Sequence, residues 1–181
     1  MSGRGSLFVT GGARSGKSRY ALARAAALPP PRVFLATAEA GDADMAARIA
    51  AHRAERGDGF TTVEEPLAVA AALARLAPET GVVVLDCMTL WIANLLATGP
   101  SDAEVERAVD AVAAAVASRP GPVVVVSNEV GSGIVPFDPA TRRFRDLLGI
   151  ANRCLAATVE SVVLMVAGLP IVVKSPRGGV S

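Results

Sequence analysis

The chain has few cysteines, few histidines and almost no excess charge, and each shortage excludes a class of protein. Its 181 residues include two cysteines, one histidine and a net charge of +1. Cys87 and Cys154 are far apart in the sequence and form no Cys-x-x-Cys pair, so we expect neither a zinc site nor a disulfide framework. Free cysteines are typical of a protein in the reducing cytoplasm. The small net charge argues against binding nucleic acid or a membrane surface through bulk electrostatics.

Long hydrophobic runs are also missing. The longest apolar stretch, residues 161–173, is too short to span a bilayer and contains Gly168 and Pro170. The N-terminal residues lack the apolar centre of a signal peptide. We therefore predict a cytoplasmic protein without membrane insertion.

Length and composition are those of an ordinary globular domain. Hydrophobic residues make up 51% of the chain and charged residues 19%, which argues against disorder. We predict a single domain over residues 1–181, with frayed ends at residues 1–6 and 176–181.

Lysine is the scarcest basic residue of the chain apart from the single histidine. Lys17 and Lys174 are the only two lysines, and every other basic residue except the histidine is arginine. In such a chain a lysine marks a position where a planar guanidinium is a poor substitute for a compact ammonium. For Lys174 two interpretations stay open, a solvated strand end and a functional role.

Lys17 lies in a glycine-rich segment that matches the phosphate-loop pattern G-x-x-x-x-G-K-[ST] without a mismatch. A short apolar strand (7–10) precedes the segment, and a helix (19–27) follows it, as the pattern requires. Glycines let backbone amides surround phosphate oxygens, and the helix N-terminus adds partial positive charge. Lys17 would reach the β- and γ-phosphates and Ser18 would hold Mg²⁺. The predicted nucleotide-binding residues of this loop are Gly11, Gly12, Ala13, Arg14, Ser15, Gly16, Lys17 and Ser18.

Strand-like and helix-like segments alternate along the chain. Continuous apolar runs at 33–37, 82–85, 123–127 and 162–166 are typical of strands covered by helices on both faces. The segment 171–174 follows the last of them too closely for a crossover helix, so we expect it to turn back antiparallel at an edge. The pattern predicts an α/β fold of the P-loop nucleoside triphosphate hydrolase-like (RecA-like) type, an open, mostly parallel sheet flanked by helices.

Several helix ends are legible in the sequence. Ser101 and Glu104 have the spacing of a capping box before a helix over 102–118. Asp138 before Pro139 predicts the start of a helix over 140–159. Asp42 or Asp44 is expected to cap a further helix that ends near Gly57.

Two residues outside the loop are candidates for chemistry. Asp86 ends an apolar strand, where a carboxylate typically holds Mg²⁺ beside a phosphate loop, although apolar strands ending in aspartate are common. His52 shares a helix face with Met45 and Ile49, which favours a histidine that packs at the edge of the core. Alternatively, a neutral imidazole near a bound nucleotide can attack phosphorus and form a covalent phosphoramidate.

The loop 127–136 follows another buried strand and contains Asn128, Glu129 and two glycines. Loops at the carboxyl ends of parallel strands line the ligand crevice, so this one is a candidate substrate-binding loop, with an ordinary turn as the alternative. Glu129 is a candidate general base only because of its place on this loop.

Together these segments resemble the bifunctional adenosylcobinamide kinase/adenosylcobinamide-phosphate guanylyltransferase family of cobalamin synthesis. The resemblance covers nearly the whole chain, and it is most specific in Met-Ala-Ala-Arg-Ile before His52 and in Asn-Glu-Val-Gly-x-Gly-Ile-Val-Pro. It also includes the phosphate loop, the Ala36-Thr37 strand end and Phe144-Arg145-Asp146. The resemblance implies phosphorylation of adenosylcobinamide by a nucleoside triphosphate. It also implies transfer of GMP from GTP to the resulting phosphate, with release of pyrophosphate.

The resemblance further implies roles for individual residues. His52 falls where the family keeps the nucleophile that carries GMP, and Lys17 with Mg²⁺ would stabilise the departing pyrophosphate. The cofactors that the resemblance implies are GTP, ATP and Mg²⁺. It also implies a corrinoid substrate, no nucleic acid partner, and assembly as a homotrimer. Some relatives carry a second histidine where this chain has Ala51, and some carry Glu where it has Asp86. The further nucleotide-binding residues expected from the resemblance are Ala36, Thr37, Ala38, Arg56, Glu64 and Asp86.

Two other functions remain compatible with the phosphate loop. One is a small-molecule kinase of another pathway, in which His52 is structural and no covalent nucleotide forms. The other is a nucleotide-dependent switch protein, although the chain has no charge-patterned helix reserved for a partner.

Overall fold

The computed structural model of the protein describes residues 5–41 and 43–176, and within these ranges seven strands form one sheet. Their order across the sheet is β3-β2-β4-β5-β1-β6-β7, and every neighbouring pair is parallel except the last, which is antiparallel. The predicted α/β fold with one antiparallel edge strand is therefore confirmed. The strands are β1 (Leu7–Gly11), β2 (Arg32–Ala36), β3 (Thr61–Glu64), β4 (Val82–Asp86), β5 (Val123–Val126), β6 (Ser161–Val166) and β7 (Leu169–Lys174).

Helices cover both faces of the sheet. They are α1 (Lys17–Ala26), α2 (Ala43–Arg56), α3 (Val69–Arg75), α4 (Met88–Ala97), α5 (Asp102–Ser118) and α6 (Pro139–Thr158), with a 3-10 turn at Gly57–Gly59. Alternate residues of each central strand face opposite sides, so Val83 packs among α3 to α6 while Val84 packs against α1. Burial on both faces explains why the strands are continuous apolar runs.

Two of the three predicted helix caps are confirmed. The Asp138 carboxylate accepts a hydrogen bond from the Thr141 amide at 2.7 Å, with Pro139 in the first position of α6. At α5, the Glu104 carboxylate accepts from the Ser101 amide at 2.8 Å, which completes the capping box.

The third predicted cap had two candidates, and neither is observed as a cap. The helix α2 begins at Ala43, so Asp44 lies within the helix rather than before it. The other candidate, Asp42, lies outside the described residues.

Three elements have no counterpart in the sequence prediction. The strand β3 is short, and three of its four residues are polar, as expected for an edge strand that pairs only with β2. The helix α3 has only seven residues. The helix α4 is apolar around most of its surface, and Cys87 at its N-cap makes no side-chain capping bond. None of these segments has the amphipathic period or capping residues by which sequence patterns are recognised.

The Lys174 ammonium is bound by backbone carbonyl oxygens instead of ending in solvent. Its ammonium donates to the carbonyl oxygens of Ala156 and Ala157 at 3.0 and 3.1 Å and to that of Val159. These are carbonyls left free at the C-terminus of α6, so Lys174 caps that helix from β7.

One predicted frayed end is partly ordered. Ser6, which the sequence places in a frayed end, is buried, and its hydroxyl accepts a hydrogen bond from the Val123 amide at 3.1 Å. The predictions for residues 1–4 and 177–181 lie outside the described residues.

Both cysteines are free thiols. In the described ranges, no helix is long and apolar enough to cross a membrane. The same ranges contain no group of three or more histidine, cysteine or acidic side chains that could hold a metal ion.

Candidate nucleotide site

The glycine-rich loop between β1 and α1 has a backbone that only glycine accommodates at two positions. Gly11 has a φ of 148°, and a Cβ there would collide with the carbonyl oxygen of Met165 on β6. Gly16 has a φ of 91° and precedes the first residue of α1. These positive φ angles turn the loop tightly around the free amides of the helix N-terminus, which is the geometry of an anion site.

Two polar side chains of the loop, those of Lys17 and Ser15, are buried. The Lys17 ammonium is largely buried and donates to the Gly12 carbonyl oxygen at 2.6 Å. Burial lowers the pKa of Lys17, and the nearby Cys87 and Asp86 oppose that effect. The buried Ser15 hydroxyl has no hydrogen-bond partner among the described residues. A phosphate group would satisfy both side chains.

A cavity of about 790 Å³ opens over this loop. It lies at the carboxyl ends of β1, β2, β4 and β5, where parallel sheets bind their ligands, and α2 forms one of its walls. The cavity therefore brings together residues that are distant in the sequence. Of the predicted site residues, those that line it are Ala13, Arg14, Ser15, Gly16, Lys17, Ser18, Ala36, Ala38, His52, Arg56, Glu64 and Asp86.

Three predicted site residues do not line the cavity. Gly11 and Gly12 shape the loop from behind, as described above. The buried Thr37 hydroxyl donates to the Cys87 carbonyl oxygen at 2.8 Å and accepts from the Cys87 amide at 2.9 Å. The Thr37 side chain therefore ties the ends of β2 and β4 together and supports the cavity floor.

The pair Ser18 and Asp86 fits a magnesium ion. Burial raises the pKa of the Asp86 carboxyl, and a hydrogen bond from the Ser18 hydroxyl, together with the charges of His52, Lys17 and Arg56, works in the opposite direction. A hydroxyl and a carboxylate side by side are hard oxygen ligands of the kind that Mg²⁺ prefers. A cation there would also compensate the cost of burying the carboxylate charge.

His52 lies on α2, exposed to solvent, and lines the cavity together with Ile49. It is close enough to Asp86 to lower the pKa of that carboxyl. His52 is therefore exposed at the cavity rather than packed at the edge of the core. The helix face that it shares with Ile49 is turned toward the cavity.

A second group of side chains in the cavity comes from β2, β3 and the end of α2. The Arg56 guanidinium stacks on the Phe34 ring, 3.8 Å from its centroid, and donates to the Thr62 hydroxyl at 3.3 Å. Burial lowers the pKa of Arg56. Arg53 forms an ion pair with Glu64. This group offers a flat cation, an aromatic face and a carboxylate to a planar ligand.

Phe34 and Arg53 line the cavity but are not among the residues predicted from the sequence. Arg53 could have been found, because it lies three positions before Arg56 on the same helix and one after His52. Phe34 could not, because it belongs to an apolar strand and is also part of the core. Asn128 belongs to the loop that the sequence predicts as a candidate substrate-binding loop, and it lines the cavity.

Glu129, the candidate general base, does not line the cavity. It accepts a hydrogen bond from the Gly131 amide at 2.6 Å and so closes the turn of its own loop. Further along this loop the side chains of Ile134 and Phe137 are almost fully exposed.

Known proteins are similar to this chain over nearly its whole length. Residues 7–173 match the family described as cobinamide kinase / cobinamide phosphate guanyltransferase. The bifunctional adenosylcobalamin biosynthesis protein CobP of Pseudomonas aeruginosa is 42% identical over 167 residues, which are 92% of this chain and 95% of that protein. The bifunctional adenosylcobalamin biosynthesis protein CobU of Salmonella typhimurium is 39% identical over an alignment of 181 positions, which covers 93% of this chain and 99% of that one.

Solved structures at much lower identity share the fold. The flagellar accessory protein FlaH of Methanocaldococcus jannaschii superposes with a TM-score of 0.55 at 12% identity, covering 97% of this chain and 80% of FlaH. A solved ATPase domain gives a TM-score of 0.54 at 10% identity, covering 98% of this chain and 79% of that domain. These likenesses confirm the phosphate-loop fold that the sequence predicts.

Proposed function

Because the chain belongs to the cobinamide kinase/cobinamide phosphate guanylyltransferase family, we propose that it catalyses both reactions on adenosylcobinamide in the synthesis of adenosylcobalamin. The first reaction phosphorylates the aminopropanol hydroxyl with a nucleoside triphosphate. The second transfers GMP from GTP to that phosphate and yields adenosylcobinamide-GDP and pyrophosphate. The observation that carries the proposal is that the single histidine of the chain lines the same cavity as the phosphate loop.

For phosphoryl transfer, the loop and the lysine provide the binding site for the triphosphate. Lys17 would exchange its bond to the Gly12 carbonyl for phosphate oxygens, and Ser15 would gain the partner that it lacks. Ser18 and Asp86 would hold Mg²⁺, which neutralises charge on the phosphates when it is bound. Both ATP and GTP are candidate donors for this step.

For GMP transfer, His52 is the proposed nucleophile. A nitrogen lone pair of the neutral imidazole attacks the α-phosphorus of GTP, an N–P bond forms, and the bond to the β-phosphate oxygen breaks. Pyrophosphate leaves, and the imidazole gives up its other N–H proton to solvent. An oxygen of adenosylcobinamide phosphate then attacks the same phosphorus, the N–P bond breaks and His52 is regenerated as the imidazole takes a proton back. Covalent catalysis thus replaces one difficult displacement by two easier ones.

The base of GTP is proposed to bind the group formed by Phe34, Arg53, Arg56 and Glu64. A carboxylate accepts hydrogen bonds, and guanine, unlike adenine, presents an adjacent ring N–H and amino group. Glu64 would therefore select guanine, while Arg53 holds its carboxylate in place. Ala36 and Ala38 offer small side chains beside this group.

The remaining family properties are also proposals for this chain. Leu169, Ile171 and Val172 on the edge strand β7 are at least half exposed, which is an unusual exposure for apolar strand residues. Such an edge supports self-association, and we propose the homotrimer. The net charge of +1 and the free cysteines support a protein that acts in the cytoplasm on a small corrinoid, without a nucleic acid partner or membrane insertion.

The first experiment is the intact mass of the purified protein after incubation with GTP and Mg²⁺, followed by peptide mapping. We expect a mass increase of one GMP on the peptide that contains His52, labile to acid and stable to alkali. The variant His52→Ala should show no increase and no guanylyltransferase activity, while it retains phosphorylation of adenosylcobinamide.

The controls separate the alternatives. If folded protein that binds GTP gains no mass but phosphorylates adenosylcobinamide, it is a kinase in which His52 is structural. If it binds GTP and transfers neither group, a nucleotide-dependent switch replaces the enzyme. Full guanylyltransferase activity in His52→Ala would refute the covalent intermediate.

A further inference from the structure

Asn128 lies at the end of the cavity near the phosphate loop, and the proposed reactions give it no role. It lies two residues beyond the end of β5, the strand between β1, which leads into the phosphate loop, and β4, which ends at Asp86. Val126 and Asn128 both line the cavity, as expected for residues two positions apart on one face of a strand. The side chain of Asn128 is therefore directed to the space between the phosphate loop and Asp86.

The backbone around Asn128 is held from three sides. Its amide donates to the Thr89 hydroxyl on α4 at 2.9 Å, and its carbonyl oxygen accepts from the Asn152 side chain on α6 at 3.0 Å. The Ser127 hydroxyl in turn donates to the side-chain carbonyl oxygen of Asn152 at 2.6 Å. The next amide, that of Glu129, donates to the Gly11 carbonyl oxygen at 3.0 Å and so joins this loop to the phosphate loop.

The side-chain amide of Asn128 takes no part in this network. It makes no hydrogen bond to any residue that the structure describes, although it is only partly exposed. An asparagine side chain carries two N–H donors and one carbonyl acceptor. A backbone fixed this firmly, with its side chain left unbonded and facing a cavity, is the arrangement of a preorganised ligand contact.

We propose that the Asn128 side chain donates a hydrogen bond to a phosphate oxygen of the bound nucleoside triphosphate, and that this bond strengthens as negative charge builds up on the departing phosphate. The sheet order favours phosphate over base, because β4 separates β5 from β2 and β3, which carry Phe34 and Glu64. Phosphate oxygens only accept, so the N–H groups of Asn128 are the matching partners. This inference rests on the proposed use of a triphosphate in the cavity.

Thr89 and Asn152 act through Asn128 as positioning residues. Neither lines the cavity, and each holds one backbone atom of Asn128. Removing the Thr89 or the Asn152 side chain should make the position of Asn128 less fixed, while the N–H donors of Asn128 remain.

Three variants test the inference against a matched control. Asn128→Ala removes the donor, Asn128→Asp keeps the shape but replaces the amide by a carboxylate, and Asn128→Gln keeps an amide. Glu106→Gln, on the exposed surface of α5 and outside the cavity, is the control. Thermal unfolding of each variant shows whether it is folded, and two quantities are then measured. They are the rate of GMP incorporation with saturating GTP and the dissociation constant of a GTP analogue with an imido α,β-bridge, which cannot release pyrophosphate.

We expect Asn128→Ala to slow GMP incorporation about 100-fold, the usual loss for one donor to a developing oxyanion, with a smaller change in analogue affinity. Asn128→Asp should be slower still and bind the analogue about tenfold more weakly, because its charge repels the phosphates. Asn128→Gln should recover part of the rate, and Glu106→Gln should match the wild type.

The inference is overturned if Asn128→Asp binds the analogue as tightly as the wild type, or incorporates GMP faster than Asn128→Ala. Binding of the analogue does not depend on a covalent intermediate. If the wild type binds it but incorporates no GMP, the proposed function fails, and the affinities of the variants still decide the role of Asn128.

Discussion

At the scale of single residues, the two lysines show why an arginine-rich chain keeps this residue type. Lys17 is buried in a tight loop against the Gly12 carbonyl oxygen at 2.6 Å. Lys174 is surrounded by three carbonyl oxygens at the end of α6. In both places a compact ammonium can direct its three donors to acceptors on different sides, which a planar guanidinium cannot do.

The matched variants Lys17→Arg and Lys174→Arg separate these two roles. We expect Lys17→Arg to lower the rates of both phosphorylation and GMP incorporation about 100-fold or more, since the donors to the phosphates would be misplaced. Lys174→Arg should lower the melting temperature and leave both rates per folded molecule unchanged. Steady-state rates and thermal unfolding measure the two effects.

Normal rates in Lys17→Arg would show that charge alone is needed at this position. The shape of the ammonium would then be irrelevant to the site.

At the scale of elements, α6 shows which helix boundaries a sequence can predict. Asp138 and Pro139 lie at the N-terminus of this helix, so the sequence predicts where the helix begins. The structure confirms that prediction. The C-terminus is capped by Lys174, which comes 16 residues after the last helical residue, Thr158, and reaches it only because β7 folds back beside β6. A local cap can be read from a pattern, and a tertiary one cannot.

The Asp138 cap makes a prediction about pH. Hydrogen bonds from the Thr141 amide and hydroxyl lower the pKa of the Asp138 carboxyl below its usual 3.8. An acid whose pKa is lower in the folded protein stabilises it above the unfolded pKa, and this contribution disappears as the pH falls through the folded pKa. We expect Asp138→Ala to lower the melting temperature near pH 7, and the difference from the wild type to shrink as the pH falls below 3.8.

Thermal unfolding from pH 7 down to acid conditions tests this cap. Asp146→Ala, an exposed aspartate within the same helix, is the control and should change the melting temperature less. A difference for Asp138→Ala that stays constant over the whole range would mean that the carboxylate charge does not matter at the cap.

At the scale of the whole molecule, the sheet has two different edges. Three of the four residues of the edge strand β3 are polar, whereas β7 presents Leu169, Ile171, Val172 and Val173 with more than a third of each residue exposed. An apolar edge strand of this kind tends to pair with another surface. The fold therefore supports assembly through β7, in agreement with the proposed homotrimer.

A charge on this edge tests the assembly. We expect Ile171→Lys to convert the trimer into a monomer, because burying an unpaired lysine in an interface is costly. Light scattering after size-exclusion chromatography measures the two masses. Ala111→Lys, on the exposed face of α5, is the matched control and should remain a trimer.

A wild type that runs as a monomer would refute the proposed trimer. A trimer that persists in Ile171→Lys would instead place the interface elsewhere on the molecule.

The sequence alone determined the features that depend on neighbouring residues or on a repeating pattern. These are the phosphate loop, six of the seven strands, including the antiparallel edge strand β7, and the caps at Ser101 and Asp138. Only the tertiary structure decided which distant residues meet. It brought His52 and Asp86 to the loop, placed Phe34 and Arg53 beside Glu64, and turned Thr37 into a support for the cavity floor. The physical reason is that parallel strands gather their carboxyl ends at one edge of the sheet, and their spatial order is set by packing across the core rather than by order along the chain.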